Sequence, residues 1–160
     1  MSNKMLQVCP LKIGEKAPSF TLLDQDENEV SLNQFLGKKV LIYFYPRAMT
    51  PGCTVQACTL RDREKELKKK KLIVLGISPD RPSSLKKFVE RDQLNFTLLS
   101  DLDHQIAQNY GVWGEKKFMG KTYEGLHRIS FVVDEKGFIQ HVLAKVNTKT
   151  HYEDVMTLIS

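Results

Sequence analysis

Cysteines stand at positions 9, 53 and 58, and the middle one falls where a thiol can become a nucleophile. The run Val40 to Tyr45 is β-branched and aromatic and reads as a buried strand. Pro46 stops it, and Thr50-Pro51-Gly52 is a turn that feeds a helix. Cys53 therefore lies at or near the first helical turn, where unpaired backbone N–H groups and the helix dipole favour negative charge. Such a place stabilises a thiolate, the attacking form of cysteine. Cys58, beside Ala57, has two readings: a second redox thiol, or a small residue packed into the core. Cys9 reads as a bystander in a loose N-terminus over residues 1–11. No cysteine pair has CxxC spacing, and His104, His127, His141 and His151 are scattered singly. Neither a metal site nor a bound cofactor is expected.

The elements that must position these residues follow from pattern. Phe20 to Leu23 and a second short run near Val30 flank the polar turn Asp24 to Glu29, which predicts a hairpin. Ser31 precedes a single helical turn that Gly37 ends. Lys39 to Tyr45 and Leu72 to Ile77 are nearly continuous in apolar residues, as central strands covered on both faces are. Between them, Cys53 to about Lys69 has helical spacing at Ala57, Leu60, Glu64 and Leu67, long enough for a crossover joining parallel strands. Helices are predicted over Pro82 to Arg91, over about Asp103 to Tyr110 with Asp101 as a cap, and over Tyr152 to Ile159. Phe96 to Leu99 is a short strand, and Trp113 to Gly125 reads as a loop. Trp113, Phe118 and Tyr123 are expected to pack rather than to line a pocket, and the lysines beside Glu115 to be solvated. Arg128 to Val133 and Phe138 to Leu143, joined by Asp134 to Gly137, form an antiparallel hairpin. Strands alternating with helices and closing on a hairpin argue for one α/β domain with a mixed sheet.

Composition narrows the function classes. A chain of 160 residues with 41% hydrophobic and 27% charged residues supports one well-filled core, so a single domain over 1–160 is expected. Net charge is +5 but dispersed; the dense block Lys65 to Lys71 lies where a helix ends and complements its dipole. No aromatic interleaving supports a nucleic-acid partner, and no apolar run suits a membrane span. Residues 1–12 lack the apolar core of a secretory signal, so a cytoplasmic location is expected.

The signature Pro46-x-x-x-Thr50-x-x-Cys53, with Cys58 beyond it, resembles the active-site loop of the peroxiredoxins. More narrowly it is similar to the bacterioferritin comigratory protein subfamily, also called peroxiredoxin Q. Further similarity runs through Leu22 to Asp26, Leu75 to Asp80, Phe96 to Gln105 and Gly111 to Val133. The resemblance implies a thioredoxin-like fold: a central mixed β-sheet flanked by helices, with an N-terminal β-hairpin extension. It implies an antioxidant peroxidase, an oxidoreductase that reduces hydrogen peroxide and organic hydroperoxides with thioredoxin or a similar dithiol as reductant. It gives Cys53 the peroxidatic role, Cys58 the resolving role through an intrachain disulfide, Thr50 the task of orienting thiolate and peroxide, Arg128 a place against the cysteine, and Pro46 the closing of the pocket. Arg128 is expected to open a strand, and Asn28 to take the left-handed turn position often held by glycine. With the resolving thiol in the same chain, a monomer is expected.

The spacing of the two thiols makes a further demand. Five residues of α-helix advance about 7.5 Å and rotate roughly 140°, whereas a disulfide needs Cβ atoms about 3.8 Å apart. If Cys53 and Cys58 share one helix when reduced, that helix must unwind before they bond. A disulfide oxidoreductase of the same fold is disfavoured by the missing CxxC. A peroxide-insensitive binding module is disfavoured by the intact Thr50, Cys53 and Arg128.

Overall fold

Strand β3 (Lys39–Phe44) shows how the chain divides itself. Val40, Ile42 and Phe44 enter one core, while Leu41, Tyr43 and, just past the strand, Tyr45 enter the other. That is the two-residue period of a strand covered on both faces. The computed structural model describes residues 6–159. Beside β3 lies β4 (Leu72–Ser78), and beside that β5 (Thr97–Ser100), all parallel as the helical crossovers require. The N-terminal hairpin of β1 (Thr21–Asp24) and β2 (Glu29–Ser31) adds antiparallel to β5. On the far side, β8 (Ser130–Val133) and β9 (Ile139–Leu143) add antiparallel to β3. The order is β2-β1-β5-β4-β3-β8-β9, the expected thioredoxin-like mixed sheet with its N-terminal hairpin.

Helices α1 (Pro51–Arg61), α3 (Pro82–Asp92) and α5 (His151–Ile159) cover the Leu41–Tyr43 face through Ala57, Leu60, Leu85, Phe88, Tyr152 and Val155. Helix α4 (Gln105–Asn109) and the segments around Phe20 and Leu126 cover the other. Asp101 caps α4 from outside it, accepting the N–H groups of Ile106 and Ala107 at 3.1 and 2.8 Å.

Several expectations change. The helix predicted from Cys53 to Lys69 is two, because α2 (Glu64–Lys69) begins after a break at Arg63 with φ −111° and ψ 27°. The side chain of Asn95 donates to the Arg61 carbonyl at 3.0 Å and so occupies the acceptor an unbroken helix would use. The predicted Trp113–Gly125 loop is a hairpin, β6 (Trp113–Phe118) and β7 (Lys121–Leu126), turned by Met119 and Gly120 at φ 50° and 77°. Positive φ at both central residues is the two-residue turn that matches strand twist. In the first hairpin the left-handed residue is Glu27 (φ 62°), not Asn28, whose N–H instead bonds Asp24 Oδ1.

A further change concerns the N-terminus. Of the expected loose stretch, residues 1–5 lie outside the described residues, but 6–11 are strapped to the body. Cys9 N–H donates to Gly111 O, Leu11 N–H to Tyr110 O, and Glu115 N–H to Leu6 O. A side chain at Gly111 would place its Cβ 1.9 Å from Cys9 O, and one at Gly114 2.6 Å from Leu6 O. Both positions are glycine because backbone passes against backbone there.

Candidate active site

After β3 the chain turns through Pro46, half-buried, into the loop 47–50. That loop is held from the end of β4: Asp80 Oδ2 accepts Ala48 N–H at 2.7 Å and the Ser78 hydroxyl at 2.8 Å. The Ser100 hydroxyl in turn donates to Asp80 O at 2.6 Å. Met49 takes a left-handed φ of 65°, a conformation an L-residue keeps only when its surroundings impose it. Thr50 is the N-cap of α1, Pro51 its first residue and Cys53 its third. The Thr50 carbonyl accepts Thr54 N–H at 2.8 Å. Its hydroxyl donates to Arg47 O at 2.9 Å rather than to the thiol, so the oxygen lone pairs remain available as acceptors.

Cys53 is 1% exposed and packs among Tyr43, Tyr45, Ala48 and Ala57. Arg128 reaches it from the segment between β7 and β8, two residues before the strand it was expected to open. His127 steadies that segment through its backbone N–H to Val112 O and its ring Nε2 to Glu115 O, both 2.8 Å. The Arg128 fork divides its donors, with Nη2 to Cys53 Sγ at 3.3 Å and Nη1 to Gln56 Oε1 at 2.6 Å. It passes over Gly52, where an added Cβ would lie 3.5 Å from Nη2. The buried sulfur at the start of α1 thus faces a guanidinium donor.

The polar chain continues inward. Gln56 Nε2 is 3.3 Å from His151 Nδ1, and His151 Nε2 is 2.8 Å from Ser130 Oγ, all three residues being at most 1% exposed. Burial, with a smaller push from the Arg128 charge and against the pull of Asp154, lowers the His151 pKa to about 4. Lys116, expected in solvent, is half-buried and donates to Leu126 O at 2.9 Å. Its pKa is lowered, first by burial and then by the Arg128 charge, while Cys53 opposes the shift.

Cys58 lies on α1 with Cys53 and forms no disulfide; it is half-buried, and burial pushes its thiol pKa up against the nearby Arg61 charge. Both ends of α1 are tied to α3, the first turn by Arg91 Nη2 donating to the Thr54 hydroxyl at 2.7 Å and the last by Arg61 Nη1 donating to Asp92 O at 2.5 Å. Cys9 is exposed, and its neighbours Val8 and Leu11 pack on the core opposite the one that holds Cys53. Of the three aromatics expected to pack, Trp113 does, stacked on His104 at 3.8 Å, while Phe118 and Tyr123 are 64% and 42% exposed.

Thr50, Cys53 and Arg128 thus meet at the start of α1, and Pro46 lies in the turn that leads to it. Gln56, His151, Ser130, Asp80 and Lys116 were not singled out from sequence. Only Gln56 carried a signal, since it lies three residues after Cys53 and so on the same helix face. Among the described residues no cluster of histidine, cysteine or carboxylate could hold a metal ion, and no helix is long and apolar enough to cross a membrane.

Comparison with known proteins bears on this arrangement. The AhpC/TSA family model matches residues 13–142. A putative peroxiredoxin bcp of Haemophilus influenzae is 60% identical over 147 residues, covering 92% of this chain and 95% of that protein. Peroxiredoxin Bcp of Escherichia coli is 58% identical over 147 residues, covering 92% and 94%. Among solved structures, the bacterioferritin comigratory protein of Xanthomonas campestris, studied for its alkyl peroxide reduction activity, superposes with a TM-score of 0.83 at 27% identity, over 88% of this chain and 89% of that one.

Proposed function

The chain belongs to the AhpC/TSA peroxiredoxin family, in its bacterioferritin comigratory protein (peroxiredoxin Q) subfamily, and from that premise we propose a two-thiol cycle run by Cys53 and Cys58. It is a thiol-based peroxidase. The observation that carries the finer reading is the 3.3 Å contact from Arg128 Nη2 to the buried Cys53 sulfur at the start of α1. In the first step the Cys53 thiolate attacks the hydroxyl oxygen of hydrogen peroxide or an organic hydroperoxide. An S–O bond forms, the O–O bond breaks, and alkoxide or hydroxide leaves to take up a proton. Thr50 Oγ1, its own proton given to Arg47 O, accepts the peroxide O–H. Arg128 donates to the oxygen on which charge grows, a contact stronger in the transition state than before it. Pro46 shapes the wall of the entry. The product is a sulfenic acid on Cys53.

Cys58 then attacks that sulfur, forming the intrachain S–S bond and releasing water. While α1 is intact, burial disfavours the Cys58 thiolate; unwinding would both bring the thiols together and lift that burden. A dithiol, thioredoxin or one like it, reduces the disulfide and restores both thiols. The cycle needs no second subunit and fits a single domain acting as a monomer. A dithiol reductant also fits the cytoplasm, where thiols are kept reduced. The reported alkyl peroxide activity of the Xanthomonas protein supports an organic hydroperoxide as one substrate.

Stopped-flow oxidation of Cys53 by hydrogen peroxide and by cumene hydroperoxide tests the first step. A rate no faster than that of an unactivated thiol would falsify it. Cys58→Ser is expected to leave that oxidation intact and to abolish turnover with thioredoxin; sustained turnover would mean that another thiol resolves Cys53.

A further inference from the structure

Arg128 has donors only, and this orders every hydrogen bond behind it. Because Nη1 points at Gln56 at 2.6 Å, the amide must turn its oxygen toward the arginine. Its NH2 then faces His151 Nδ1 at 3.3 Å, so that nitrogen must be bare and accept. The imidazole proton is left on Nε2, where the Ser130 hydroxyl oxygen stands 2.8 Å away to receive it. Each group has one role, donor on one side and acceptor on the other, and none of the three side chains has solvent to offer an alternative.

The logic also runs outward. Resting on the reading of Cys53 as the attacking thiol, we propose that His151 is a positioning residue for the peroxidase reaction: as the Ser130-bound Nε2–H tautomer it fixes the amide orientation of Gln56, and through Gln56 it aims Arg128 at Cys53. Were the proton on Nδ1, the ring would donate to Gln56, the amide would reverse, and its NH2 would confront the guanidinium, two donors face to face. Arg128 would then lose its 2.6 Å anchor and have no fixed bearing on the sulfur. The ring is placed by α5 and by its approach to Tyr43, centroids 5.7 Å apart, so the C-terminal helix takes part in arranging a site formed mainly by α1 and the segment before β8. The low His151 pKa agrees with a neutral ring at neutral pH.

The tautomer is read directly from 15N spectra of histidine-labelled reduced protein. The Nε2–H form at His151 is expected, and the Nδ1–H form overturns the proposal. This readout does not depend on activity, so it stands or falls separately from the peroxidase reading. Kinetics supply the second measurement. His151→Phe keeps an aromatic ring but removes the acceptor, and is expected to slow Cys53 oxidation by hydrogen peroxide about tenfold. In a Gln56→Glu background either carboxylate oxygen can accept from Arg128, so the same replacement is expected to have less than a twofold effect. A tenfold loss in both backgrounds would show that His151 serves only to hold the fold, and no loss in either would show that Arg128 does not depend on it. If unsubstituted protein reacts no faster than a free thiol, the peroxidase reading fails while the tautomer result still decides the hydrogen-bond order.

Discussion

Cys53 is surrounded by neighbours that differ in how plainly the sequence displays them. Thr50 and Cys53 belong to a spaced motif and are legible as such, whereas Arg128, 75 positions on, is legible only through the family resemblance. Gln56 and His151 are legible as letters but not as a pair, because ninety-five positions separate them and nothing in a helical glutamine marks it as fully buried. Burial of His151 has a consequence in acid. Its folded pKa of about 4 lies below the unfolded 6.5, so between those values the unfolded chain binds more protons and stability falls as pH falls. The contribution is fully present above pH 6.5, is lost progressively toward pH 4, and amounts to on the order of 3 kcal/mol. Asp154 and Arg128 face the ring with opposite signs and Tyr43 packs on it, so the comparison must hold them constant. Urea unfolding of the natural chain and of His151→Phe at pH 7 and pH 4.5 is expected to show a smaller acid loss in the variant. Equal losses would assign the acid sensitivity to other groups.

At the scale of elements, the proposed cycle asks α1 to be both an aiming device and a removable one. Its start is bound by the Thr54 N–H to Thr50 O bond and by Arg91 to the Thr54 hydroxyl, and its end by Arg61 to Asp92 O at the end of α3. Gly52, Thr54 and Thr59 are weaker helix formers than alanine or leucine, which keeps the cost of releasing it low. Hydrogen exchange measured on reduced and oxidised protein should show amides 54–59 losing protection on oxidation, while those of β3 and β4 are unchanged. Retained protection beside a Cys53–Cys58 bond would end the unwinding account. The sequence foretold one long helix here because Ala57, Leu60, Glu64 and Leu67 keep helical spacing straight through the break. What divides it is Asn95, a tertiary partner from beyond α3 that pattern along a single segment cannot reveal. The β6–β7 hairpin was missed for the opposite reason. Neither strand buries an alternating stripe, most of β7 is exposed, and only Met119-Gly120 marked the turn.

For the whole molecule, the parallel strands and the two cores were legible, since continuous apolar runs announce a sheet covered on both faces. The strap of residues 6–11 was not, because its bonds are made by backbone and its sequence signal is two glycines a hundred positions away. Gly111→Ala would put a Cβ 1.9 Å from Cys9 O at a φ of +73°, and is expected to cost on the order of 2 kcal/mol in urea unfolding. Removing residues 1–11 should then cost clearly less in that variant than in the natural chain. Equal costs in both would detach the glycine from the strap.

That strap also has a place in time. Residues 6–11 leave the ribosome about 100 residues ahead of their partners at 110–115, a wait of roughly 5–20 s at ordinary rates of synthesis. Arg128 emerges later still, just after the hairpin to which the strap leads. A nascent chain therefore presents Cys53 and Cys58 well before it owns the guanidinium that faces Cys53. Until residue 128 has been added, Cys53 lacks that partner, and on the proposed cycle its reactivity arrives only with the closure of the fold.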